Sequence, residues 1–423
     1  MKTKKIYNYR VNKLLNLLSY IIAIIIIFNC NTVYISSSNF TLIQKLQFPL
    51  LICVSWIYVF IRAKISHIYI DRSFILGIVV SVYLSLFLFF RTSNSTIFSN
   101  FKLIITFFTI FSLVWSEKSV THLSRILKAY VNIITVIAAV SIVFWVMGSW
   151  LHFINYSSSV MLTWGDPQRI IPSYYNLYFE TQYINGITRN SAIFVEAPMA
   201  ALNFLIALSL NVLLEKQIKL NNIKNLIIII AGILTMSTTM YVGIIILIVY
   251  RITRPTYKNK FVTMLKPILF IIFVPILFLI VNRLIGGKLD TQSGIDRKLD
   301  YVNAFSAWSN HPLFGNGIDA GVNEGLTRIN GTLVAHYGFS SSFTKILGDG
   351  GFYLLILVLI SVIASVNHAV KSKNWSMLTF VLIIIYLFLV TIFAQTYIMF
   401  YLFIFIALWN PDELIENRLK YRR

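Results

Sequence analysis

The apolar residues of this chain come in blocks close to the length of a membrane-crossing helix, and the blocks recur from one end to the other. Residues 14–30, 73–90, 126–150 and 261–282 are examples. A helix needs about 20 predominantly apolar residues to cross the hydrocarbon core, where every backbone polar group must be satisfied within the segment. Only 12% of the residues are charged and 57% are hydrophobic. A soluble domain carries about twice that charged fraction. The first block has no small-residue cleavage site behind it, so a removed leader is not expected. The expected fold is therefore all-α: a single polytopic membrane domain over 1–423 with about twelve transmembrane helices.

The formal net charge of +21 raises the question of a polyanionic partner. Its distribution answers it. With the basic N-terminus placed in the cytoplasm, most Lys and Arg fall on that side, around Lys2, Arg10, Arg62, Arg72, Lys216, Arg251, Lys371 and Arg423. The acids divide more evenly. This is the bias that orients membrane helices, and it needs no nucleic acid. Both termini are then cytoplasmic. Cys30 and Cys53 lie in or beside membrane segments and are read as packing residues.

The first five spans are expected near 14–30, 46–62, 73–90, 102–115 and 127–150, followed by a polar outer segment at 151–190 and a sixth span at 191–214. The block 225–250 is basic at both ends and carries Thr235, Ser237, Thr238 and Thr239 at its middle. Two short helices that meet at this break and return fit that pattern. Non-helical backbone at membrane depth needs protein or water around it. A ninth span is expected at 261–282, a large extracytoplasmic loop at 283–349 between spans nine and ten, and a tenth span at 351–367. Gln395 divides the last apolar block, 377–409, into two. Within the large loop, Val302, Phe305 and Trp308 recur at helical spacing and predict an amphipathic surface helix.

The predicted spans hold almost no charge, which disfavours ion-coupled transport through mid-membrane. The ionisable groups instead collect at the outer ends: Arg189, Glu196, Arg297, His311, Asp319, Arg328, His336 and Asp349. Arg189 and Arg297 come from separate outer segments and suit a two-point grip on phosphate oxygens, with interfacial anchoring as the bland alternative. His336 titrates near neutral pH and suits a general base toward a sugar hydroxyl, or a hydrogen-bond partner for it. Glu196 is either an ion-pair partner for Arg189 or a second base. His311 and Arg328 complete the candidate substrate-binding set. The run from Gly315 to Gly321 lacks the preceding strand and the Lys-Ser/Thr of a nucleotide loop, so a turn allowing close backbone approach is expected. Asp290, Asp296, Asp300 and Asp319 show no compact ligand spacing, so neither metal nor cofactor is expected.

These residues resemble the O-antigen and capsular polysaccharide polymerases and the O-antigen ligases. The similarity is carried by Arg189 and Phe194-Val-Glu196-Ala-Pro198 ahead of an apolar span, and by the break Leu234-Thr-Met-Ser237. Arg297, Trp308, His311-Pro-Leu-Phe-Gly-Asn-Gly317, Ala335-His336 and Gly348-Asp-Gly-Gly351 then follow in order. The sequence departs from the family pattern at Thr238, where an arginine is usual, at Ala197 between Glu196 and Pro198, and at Tyr337 after the histidine. The resemblance implies a multi-pass protein of the bacterial cytoplasmic membrane acting as a glycosyltransferase in polysaccharide biosynthesis, for capsule, exopolysaccharide or O-antigen. It would join oligosaccharide repeat units carried on undecaprenyl diphosphate, without metal. Arg189, Arg297 and His336 would be catalytic, with Glu196, His311 and Arg328 binding substrate. Implied partners are membrane lipid, a chain-length regulator and a flippase. A ligase handing the glycan to another acceptor, and a lipid-linked oligosaccharide flippase or other transporter, are the rival readings.

Overall fold

The computed structural model describes residues 2–66, 70–89, 97–117, 123–164, 169–184, 186–214, 222–253, 292–318, 325–329, 332–336 and 339–408, with backbone alone for 2–9, 66, 292–296, 325–329 and 332–336. The protein is mostly helical. Among the described residues six helical segments are long and apolar enough to cross a membrane: Arg10–Phe28, Ser38–Ile65, Ile97–Glu117, Arg125–Trp150, Ala197–Leu214 and Ser342–Lys371. The ninth expected span, 261–282, lies outside the described residues. In chain order the helices are α1 Lys2–Phe28, α2 Thr41–Ser66, α3 Arg72–Leu86, α4 Ile97–Glu117 and α5 Arg125–Phe144, followed by α6 Ala197–Ser209, α7 Ile223–Leu234 and α8 Thr238–Thr253. They continue as α9 Gln292–Asn310, α10 Ser342–Lys371, α11 Trp375–Val390 and α12 Tyr397–Leu408.

The helices turn apolar side chains outward. Phe60 is 67% exposed, Val79 56% and Ile363 65%. Such surfaces are unstable in water and suit a lipid solvent, so the chain is a membrane-embedded helical protein. At the centre runs α6, with every residue but Pro198 buried. Its neighbours are α5, α7, α8 and α11. Tyr130 of α5 donates to Asn203 of α6 at 2.7 Å, which satisfies two polar groups in the interior.

The segment 151–190, expected as a polar loop, carries a small β layer within the mostly helical fold. Strands β1 Ser158–Leu162, β2 Arg169–Tyr174 and β3 Tyr178–Phe179 form an antiparallel sheet. β4 Tyr183–Ile184 and β5 Ile187–Thr188 form a hairpin. The cause is local alternation: Val160 and Leu162 are buried while Ser159 and Met161 are exposed. The backbone of β6 Gly325–Ile329 and β7 Thr332–His336 pairs in a second hairpin inside the large loop.

Two helix breaks fall where the sequence places them. α7 and α8, of 12 and 16 residues, meet across Thr235–Ser237, with Met236 at φ 49°. Neither alone reaches across the roughly 30 Å of a hydrocarbon core. α11 and α12 meet across 391–396, with Gln395 at φ 62°. At this second break the freed backbone groups find partners at the end of α1 and the start of α10. Asn31 after α1 donates from its amide to the Ile392 carbonyl at 3.0 Å, and Tyr397 N donates to Asn29 Oδ1 at 2.8 Å. Ser342 Oγ donates to the Thr391 carbonyl and accepts from Phe393 N, both at 2.8 Å. Breaks in a low-dielectric core persist only when their polar groups are satisfied this way.

The large loop ends earlier than its expected boundary at 349. α10 opens at Ser342, because the Ser341 side chain caps it by accepting from Thr344 N at 3.2 Å. The helix then kinks at Gly351, φ 57°. A Cβ there would lie 2.7 Å from Gly315 N and from the carbonyls of Pro312 and Leu313. The predicted close approach at Gly315 is therefore real, and its partner is the helix kink. The expected surface helix is α9. Val302 and Phe305 are exposed, and Trp308 packs edge-on against Phe352.

Candidate functional site

The site is built at the start of α6. A hairpin first positions Arg189. Gly186 turns the chain at φ 80°, pairing Tyr183 with Thr188, and the ladder continues as Arg189 N donates to the Gln182 carbonyl at 2.9 Å. Arg189 is buried. Its Nε donates to the Thr235 carbonyl at 2.9 Å and its Nη2 to the Met236 carbonyl at 3.3 Å. Nη1 reaches Gln182 Oε1 at 3.2 Å, and the same oxygen accepts from Ala197 N at 3.1 Å. Arg189 thus clasps the α7–α8 break and ties it, through Gln182, to the first residue of α6. Asn190 reinforces the tie, its N–H donating to the Leu234 carbonyl at 3.0 Å.

Glu196 precedes α6 and is half-buried. Its side chain does not cap that helix. It accepts instead from Trp164 Nε1 at 3.0 Å. Burial pushes its pKa up, while the Trp164 hydrogen bond and the charges of Arg169, Arg189 and Arg297 oppose that shift. Burial lowers the Arg189 pKa, Glu196 counters it, and the like charge of Arg297 adds to the lowering. Arg189 and Glu196, in one stretch of chain, and Arg297 of α9 thus lie within electrostatic reach of one another. Arg297 on α9 is half-buried and donates no hydrogen bond to any described residue. It lies within electrostatic reach of Tyr386 on α11.

Comparison with known protein families and with curated proteins finds no match to this chain.

The other expected site residues are placed differently. His311 is exposed in the turn after α9, where its carbonyl accepts from Gly315 N at 2.8 Å. Among the described residues nothing joins its ring to the arginines. The backbone of His336 ends β7, opposite Gly325, and that of Arg328 lies in β6; their side chains are outside the described residues. Asp319 is also outside them. Asp349 is buried, pairs with Lys345 Nζ at 3.0 Å and accepts from Gln395 Nε2 at 3.0 Å, so it serves the α10–α12 junction. Among the described residues no three metal-ligating side chains converge.

Sequence reasoning missed Gln182, Trp164 and Arg169. Gln182 was accessible through Asn185-Gly186, a strong two-residue hairpin signal that sets residues 182 and 189 opposite each other. Nothing local marks Trp164 or Arg169 as neighbours of Glu196.

Glu196→Gln tests the electrostatics. Burial raises the carboxyl pKa above its unfolded value, so the folded state binds this proton more tightly than the unfolded chain. Stability linked to it is complete in acid, below the ordinary carboxylate value of about 4.3, and is lost as pH rises through the folded pKa. The glutamine variant should therefore unfold at a higher temperature than the parent at neutral pH, with the gap closing in acid. Melting curves from pH 3 to 8 read this, and an equal gap throughout would refute the assignment.

Proposed function

We propose that this protein is a polysaccharide polymerase. It would join oligosaccharide units carried on undecaprenyl diphosphate at the outer face of a bacterial cytoplasmic membrane. The β-bearing side, with Arg189, Glu196 and Arg297, is taken as external because the basic connecting segments lie at the opposite helix ends. The observation that carries the reading is Arg297. A half-buried guanidinium that donates no hydrogen bond to described protein, set beside a second arginine, is suited to an anionic ligand.

In the proposed reaction a hydroxyl of the acceptor sugar attacks the anomeric carbon of the donor sugar. A new carbon–oxygen glycosidic bond forms as the bond from that carbon to the phosphate oxygen breaks. The electron pair leaves on the lipid diphosphate, and the hydroxyl proton passes to a base, assigned to His336. Arg297, with the field of Arg189 behind it, stabilises the charge gathering on the leaving diphosphate. Glu196 holds the balance of charge, and its carboxylate is available to a sugar hydroxyl. His311 and Arg328 are assigned to substrate binding from the loop.

Single replacement of Arg189, Arg297 or His336 in a host making a defined glycan tests this. Long chains should disappear while single lipid-linked units accumulate on the outer leaflet. Units held on the inner leaflet would mark a flippase instead. Full-length glycan that no longer reaches its final acceptor would mark a ligase. Normal chain length with all three replacements would end the assignment.

A further inference from the structure

The α7–α8 break carries a feature that the clasp of Arg189 leaves unused. The Ser237 carbonyl accepts the first bonds of α8, from Met240 N at 3.1 Å and Tyr241 N at 3.2 Å, so Ser237 occupies the position of a helix N-cap. A serine there ordinarily accepts with its hydroxyl from the second or third helical N–H. This one does not. Ser237 Oγ is buried, in a residue only 1% exposed, and has no hydrogen-bond partner among the described residues. Among the described residues the N–H of Thr239 makes no backbone bond either. A hydroxyl left unsatisfied in such a place costs about 1–3 kcal/mol.

The surroundings say what kind of group would satisfy it. Arg189 occupies the carbonyls of Thr235 and Met236, the acceptor side of the break. What the break still presents is the donor side: the Ser237 hydroxyl, the Thr239 N–H and the positive end of a 16-residue helix dipole. Arg189 and Arg297 add positive charge, and Glu196 is the opposing carboxylate in their field. Tyr241 lies within the field of Arg189 on the first turn of α8. Donors converging in a net positive field define an acceptor-rich anion.

We infer that the N-terminal end of α8 seats a phosphate group, with Ser237 Oγ and the Thr239 N–H as its fixed donors and Arg297 closing over it. This rests on the polymerase reading only for the source of the anion, one phosphate of the lipid-linked diphosphate.

The test uses the full-length protein in detergent micelles, with inorganic diphosphate and farnesyl diphosphate as separate probes. Ser237→Ala removes a hydroxyl that is unsatisfied without ligand, so unliganded variant protein should melt at the same temperature as the parent or higher. The same variant should bind diphosphate about tenfold more weakly, the loss of one hydrogen bond to a charged group. Ser237→Asp, which places a carboxylate in the seat, should abolish binding. A hydroxyl serving only the fold would instead lower the melting temperature and leave affinity unchanged. Tighter binding of farnesyl diphosphate than of inorganic diphosphate would identify a lipid-borne anion as the ligand, and equal binding a free one; both support the seat. Parent-like diphosphate affinity in Ser237→Ala and in Ser237→Asp would overturn the inference while leaving the Arg297 clamp standing. No binding of either probe by the parent protein would overturn both. Binding that depends on Ser237 in a protein that makes no polymer would keep the seat and discard the polymerase.

Discussion

Replacing Arg189 by alanine should lower the stability of the folded protein by about 3 kcal/mol, a loss from which activity would not recover. The reason lies in what the guanidinium holds. It supplies hydrogen bonds to the carbonyls of Thr235 and Met236 and to Gln182. Without it, both backbone acceptors at the α7–α8 break lose their charged partner, and Gln182 loses half of its link between that break and α6. A lysine in its place reaches one acceptor at a time and has no planar fork, so Arg189→Lys should recover only part of the loss. Denaturant or thermal unfolding in detergent measures this directly. Stability within 0.5 kcal/mol of the parent for Arg189→Ala would show that the clasp contributes nothing, which is the outcome expected of an ordinary surface site.

Arg297→Ala should behave in the opposite way. Its guanidinium donates no hydrogen bond to described protein and lies in the field of another arginine. Removing it relieves repulsion with Arg189, loses attraction to Glu196 and costs no hydrogen bond among the described residues, so the melting temperature should stay close to that of the parent. Chain extension should fall about 10²–10³-fold, the range seen when one preorganised donor to a developing negative charge is removed. Arg297→Lys should recover little, since a point charge does not reproduce two-point phosphate geometry. Polymer length profiles at matched protein levels, with melting curves on the same preparations, separate the two arginines. If Arg297→Ala unfolded early, or made polymer of parental length, its assignment as the phosphate clamp would be lost.

The two arginines looked alike in the sequence: each is a basic residue in a segment expected on the outer side. Their difference is a matter of partners. Arg189 meets carbonyls that only a broken helix exposes, and the break lies more than forty residues downstream. Arg297 sits on α9, whose apolar positions Val302, Phe305 and Trp308 were readable at helical spacing, but its nearness to Arg189 depends on how α9 docks beside α10. Glu196 was legible as a costly charge needing a partner. That the hydrogen bond comes from Trp164 was not, because the two residues are joined by a β layer with the length and polarity of a loop. The alternation of Val160 and Leu162 with Ser159 and Met161 was present in the sequence, and the length and polarity of the surrounding segment hid it.

The sequence by itself determined the solvent and the material. Apolar blocks near bilayer length dictate helices in lipid, since a continuous apolar run of that length satisfies its backbone polar groups within itself only as a helix, whereas barrel strands are shorter and alternate. The sequence also marked the two breaks, through the polar run at Thr235–Thr239 and through Gln395, because polar groups at such depth interrupt an apolar face. Only the tertiary structure decided what those interruptions are for. A break exposes carbonyls on one side and N–H groups on the other. Which residues answer them, Arg189 for the carbonyls and Asn31 and Ser342 for the second break, is fixed by packing between segments far apart in the chain. Local sequence carries no record of those distances, so the meeting of Arg189, Glu196 and Arg297 is a property of the fold.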